Sequence, residues 1–120
     1  MNTLPLTEMP AASSSNPISA ETAARIVEDF IADHLGNLAL AGAPRRMIFP
    51  IRALWAVPIV VAYPGFGLAG VIGIAAVDDE LASIVAATPI DEMRRAASEL
   101  YEAHRADIES AFRRVSFASD

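Results

Sequence analysis

The chain contains no cysteine, which excludes disulfide staples, thiol catalysis and cysteine-ligated metal. Lysine is absent as well; all nine cations are arginine, and they form no dense basic cluster. With a formal net charge of −6, the composition argues against a nucleic-acid partner, since phosphate binding needs clustered cations. The first eighteen residues hold neither Lys nor Arg and no long apolar stretch, so they do not read as a secretory signal. The third absence is the most informative. No charge interrupts the 25 residues from Ala53 to Val77.

A run of that length is a membrane-span candidate by length alone. Arg45, Arg46 and Arg52 before it and Asp78, Asp79 and Glu80 after it give the flank pattern of a single span. Inside it, however, stand Pro58, Pro64, Gly65, Gly67, Gly70 and Gly73, which would break a lone helix with no neighbour to repair its backbone. A small membrane-associated protein spanning residues 53–77 is therefore the alternative, and a soluble, cytoplasmic domain the leading expectation.

The run divides at Tyr63-Pro64-Gly65-Phe66-Gly67, a dense turn signal. The halves on either side have strand length, and the first is rich in β-branched and aromatic residues. They predict an antiparallel hairpin, with a short third strand at Ser83 to Val85. Pro58 cannot donate to a ladder, so the first strand is expected at an edge or at a bulge.

The flanking segments carry helical spacing. Ser19 caps a helix whose apolar face holds Ala23, Ile26, Val27, Phe30, Ile31, His34 and Leu38, with Gly36-Asn37 as its stop. Thr88 as cap and Pro89 at the first position announce a second helix, with Asp91 and Glu92 in its first turn. Its stripe runs Met93, Ala97, Leu100, His104, Ile108, Ala111 and Val115. Asp91 with Arg95, and Glu109 with Arg113, are spaced to pair on its solvent face. It should extend about 26 residues, roughly 39 Å.

The fold class is therefore α+β: an N-terminal helix, an antiparallel β-hairpin or small sheet, and a long C-terminal helix. Residues 1–18, mixing prolines with Ser13-Ser14-Ser15, read as a flexible arm whose Leu4, Leu6 and Met9 suit an extended docking peptide. Residues 19–115 form a single domain, and 116–120 a tail.

Alternation decides what such a domain would do. A hairpin with one wet face shows polar residues at every second position. Here one face of the first strand carries Trp55, Val57, Ile59, Val61 and Tyr63, and the other Leu54, Ala56, Pro58, Val60 and Ala62. Both are apolar. Helices can cover one; a partner is expected on the other, unless the connector around Met47, Ile48, Phe49 and Ile51 folds over it. The expected interface comprises Trp55, Val57, Ile59, Val61, Tyr63, Phe66, Val71 and Ile74, with the alternate face left open as the other choice. The expected partner is a second copy or a larger protein.

Catalytic chemistry has little to build on. His34 and His104 lack the paired spacing of a zinc helix, although antiparallel helices would let the two rings meet. Asp78-Asp79-Glu80 lacks calcium-loop spacing and reads as a solvated turn. Gly65, Gly67 and Gly70 match the G-x-G-x-x-G pattern literally, but a strand follows where a dinucleotide site needs a helix. No nucleophile–base pair or metal set assembles, so no enzyme activity and no cofactor are expected.

Two motif sets carry a resemblance. Trp55-Ala56-Val57 and the Val77-Asp78 to Ser83-Ile84 segment resemble the Trp-x-Val and Val-Asp-x-x-Thr-Gly-x-Val elements of PepSY-like domains, which are cystatin-like in arrangement. Leu81-Ala82 stands where that family has Thr-Gly. Val57-Pro58-Ile59, Pro64-Gly65, Gly70-Val71-Ile72-Gly73 and Val77-Asp78 are similar to a pattern in small bacterial proteins of unassigned role. The PepSY resemblance implies a binding or inhibitory module, often one acting on peptidases.

Overall fold

The computed structural model describes residues 17–118. The arm expected over the first eighteen residues lies, up to residue 16, outside them. In chain order come α1 (Ala20–His34), a 3-10 turn (Gly36–Leu38), strands β1 (Leu40–Ala41), β2 (Arg45–Ile48), β3 (Ala53–Tyr63), β4 (Gly67–Asp78) and β5 (Ser83–Ala87), then α2 (Ile90–Ala103) and α3 (Arg105–Ala118). The architecture is α+β.

Local signals act where the sequence places them at the first helix. Ser19 caps α1, its Oγ accepting the Thr22 backbone N–H at 3.1 Å. Gly36 ends it in the left-handed region, φ 63°. Thr88 does not cap α2. It extends the sheet instead, its N–H donating to the Ile74 carbonyl at 3.0 Å and its Oγ1 accepting the Ile74 N–H at 3.0 Å. Pro89 is consequently the flanking residue and Ile90 the first helical one.

The strands form one antiparallel five-stranded sheet in the order β1-β3-β4-β5, with β2 also paired to β3. β3 is thus central, and not at an edge. Its outer side is shared: β2 pairs with Ala53 to Ala56, and β1 with Ile59 and Val60. Pro58 falls between the two. Its carbonyl takes the Gly42 N–H at 2.7 Å on that side, so its missing N–H faces the gap between two short strands and costs no ladder bond.

β4 carries two bulges, leaving Ala69 and Ile72 without partners on β3. Each extra residue resets the alternation. Leu68, Val71 and Ile74, three apart, pair with Ala62, Val60 and Pro58 and share one face. Gly70, Gly73, Ala75 and Val77 share the other, opposite Val61, Ile59, Val57 and Trp55.

That second face is the core. Val57, Ile59, Val61, Ile72, Ala75 and Val77 pack against Ala23, Val27 and Ile31 of α1 and Met93 and Ala97 of α2. Trp55 is half-buried at its margin and donates its indole N–H to the Ile18 carbonyl at 3.1 Å.

The long C-terminal helix is in fact two. At His104 the backbone leaves helical geometry (φ −118°, ψ 17°) and its N–H is shared between the Leu100 and Tyr101 carbonyls. α3 then runs to Ala118, past the expected domain end at residue 115. It packs on the tip of the β3–β4 hairpin, where Gly65 has φ 75° and a Cβ there would lie 2.7 Å from Val115 Cγ2. The charge pairs of this region also differ from those expected. Glu109 meets Arg105 at 3.6 Å, and no Glu109–Arg113 bridge forms among the described residues. No Asp91–Arg95 bridge forms among the described residues.

Residues 53–77 lie in two strands and their turn, and no helix among the described residues is long and apolar enough to cross a membrane.

Candidate protein-interaction site

The face of the sheet turned away from the helices is open. Leu40, Leu68, Val71 and Ile74 are 54%, 64%, 61% and 50% exposed, and Met47 41%. Register places all five on that face: Leu40 across from Val60, Met47 from Leu54, and the other three along β4. Between these projections the floor is small or flat. Ala56, Pro58, Ala76 and Ala86 line shallow hollows of about 320 and 240 Å³, walled by Met47 and Ile74. The connector offered as the alternative cover for this face does not fold over it. Arg45 to Ile48 is spent as strand β2, and Ile48 and Ile51 are 76% and 92% exposed.

The structure divides the expected interface residues between two faces. Val57, Ile59 and Val61 are fully buried beneath the helices, so they have no surface to offer a partner. Trp55 belongs to that face as well. Tyr63 is half-buried against Tyr101, ring centroids 5.9 Å apart, and Phe66 against His104 at 5.4 Å. Only Val71 and Ile74 of the set stand on the open face. Leu40, Met47 and Leu68, outside the expected set, stand there with them.

Only Glu80 of the acidic turn is solvated. Asp78 and Asp79 are buried. Asp79 Oδ2 accepts a hydrogen bond from Arg46 at 2.7 Å, a charge-assisted pair that compensates its burial. Asp78 Oδ1 accepts the Glu80 and Leu81 backbone N–H groups, both at 2.9 Å. The Leu81 N–H, then the Glu80 N–H, hold the Asp78 carboxyl below its ordinary 3.8, with Arg52 adding a smaller pull in the same direction. Because folding lowers this pKa, the resulting stabilisation is complete above about pH 3.8 and is lost as the pH falls through the lower folded value. Urea midpoints across an acid series should therefore drop more steeply for the native chain than for Asp78→Asn. Parallel curves would show that the turn makes no such contribution.

Among the described residues no three His, Cys, Asp or Glu side chains gather as a metal site. The histidines do not meet. His34 stacks on Phe30 at 4.5 Å, and its carbonyl accepts a bond from Arg94 near the start of α2; His104 closes the other end of that helix. The glycine pattern is split between turn and packing: Gly65 and Gly67 have φ 75° and 94° in the hairpin turn, and Gly70 admits a helix. A Cβ at Gly70 would lie 2.9 Å from Leu100 Cδ1 of α2. One further cavity, about 340 Å³, lies between the hairpin tip and α3, lined by Tyr63, Tyr101, Ile108 and Phe112. Tyr101 donates its hydroxyl proton to Glu109 at 3.1 Å, which raises its pKa above the usual 10.0 and leaves it no base near neutrality.

The chain matches no protein-family model, no curated protein and no solved structure.

Proposed function

We propose that this chain is a non-catalytic interaction subunit that buries the open face of its sheet against another protein surface. The observation that carries this reading is the continuity of Leu40, Met47, Leu68, Val71 and Ile74 on one uncovered face. Together they expose roughly 500 Å² of apolar surface, in the upper part of the range for a monomer's largest patch, which is often functional. Ile74→Asp tests the reading. An apolar-surface dye reports the face when it is free, and sedimentation reports it when it is covered. The variant should lose dye fluorescence or association while keeping its native circular dichroism; a fall in melting temperature is expected only where association is lost. If neither signal changes, the face is not an interface.

A second reading, a PepSY-like peptidase-binding module, draws support from one backbone detail. Ala82 has φ 55°, a left-handed position that favours glycine, at the place where the resembling family has it. Such a module would use β5, which among the described residues pairs only with β4, for strand addition. It would keep its partner in Ile74→Asp and lose it in Val85→Pro.

A further inference from the structure

The open face contains both the projections and the recesses that one flat apolar surface needs to pack on a copy of itself. We infer that its occupant is a second copy of this chain, the two sheets stacked face to face about a two-fold axis. The inference rests on the interaction reading above and names the partner. A two-fold interface uses the same patch twice, so the patch must complement itself. Here Leu68, Val71 and Ile74 project, while the alanine floor of Ala56, Ala76 and Ala86 beside Met47 recedes. Bulky side chains of one sheet entering the small-residue hollows of the other is how sheets pack about 10 Å apart in sandwiches.

Charge points the same way. Arg45 is the single charged side chain lining the hollows, at their margin, so the centre of the face is neutral and gives a strongly charged partner little to recognise. A second copy presents the same neutral surface. Area agrees as well. An apolar centre of roughly 500 Å², enlarged by its rim, approaches the about 800 Å² that each partner contributes to a standard-size protein–protein interface.

Light scattering coupled to size exclusion on the full chain is the test. The expected mass is twice the chain's 12.7 kDa. Ile74→Asp and, separately, Val71→Asp should raise the dissociation constant at least about 100-fold, because each dimer would bury two unpaired carboxylates. Val85→Asp, on the β5 edge, should leave the dimer intact, and circular dichroism confirms that each variant is folded. A native monomer whose dye binding Ile74→Asp abolishes overturns self-pairing while keeping the face as an interface. A dimer unaffected by Ile74→Asp and Val71→Asp but dissolved by Val85→Asp overturns both and assigns the contact to the sheet edge.

Discussion

Ile59→Ala is expected to cost the fold about 3–4 kcal/mol, read as a large drop in the urea midpoint with little change in slope. Ile59 is among the largest fully buried side chains. It lies at the centre of β3, paired with Gly73 and roofed by the helices. Truncation removes three methyl or methylene carbons from a site that cannot collapse, because Val57 and Val61 on the same strand are equally buried. For a domain of this size that is a large share of the total stability. Ile51→Ala is the matched control. At 92% exposed it should change stability by no more than about 0.5 kcal/mol. Were Ile59→Ala to alter association and leave the midpoint in place, the two sheet faces would have been assigned the wrong way round.

That assignment was the part of the fold the sequence hid. Ser19, Gly36 and the Pro64-Gly65 turn act through local chemistry, and each works where its residue type stands. The faces depend on pairing across strands. A strict two-residue count through β4 sets Ile72 and Ile74 on the same side, whereas the bulge at Ile72 sends one to the core and the other to the surface. Gly70 and Gly73 pair with Val61 and Ile59, and a Cβ at either would meet Leu100 or Met93 of α2, so both face the helices. Being three apart, they fall on opposite faces in a strict two-residue count, and only the bulge at Ile72 brings them to the same one.

The break at His104 carries no mark in the sequence. The apolar stripe continues through it, with Leu100, Ile108 and Ala111 in step, and neither proline nor glycine stands nearby. What distinguishes the position is tertiary: Phe66, presented by the hairpin turn, lies against the His104 ring. Burial of Asp79 in the acidic turn is also tertiary, because it depends on Arg46 reaching it from β2, thirty-three residues away. The open face follows from the same economy. Two helices span one side of the sheet, and the segment that might have covered the other is consumed as its edge.

Gly73→Ala gives the sharpest test of that packing. A Cβ there would lie 2.6 Å from Met93 Sδ, 2.7 Å from Met93 Cγ and 3.0 Å from Thr88 Cβ. Met93 is fully buried and has no exit to solvent; Thr88 is pinned by its hydrogen bonds with Ile74. The added methyl must push α2 off the sheet or force Met93 from its rotamer, at a cost of about 1–3 kcal/mol. Met93→Ala alone should cost about 2–5 kcal/mol by leaving a cavity. The double variant decides between explanations. If the methyl is harmful because it meets Met93, it fills part of that cavity, and the pair should cost less than the sum of the singles by about 1 kcal/mol or more. If Gly73 instead serves only the backbone freedom of β4, the two costs will add. Sub-additivity would assign the glycine to helix docking, and with it the face on which Val71 and Ile74 remain available to a partner.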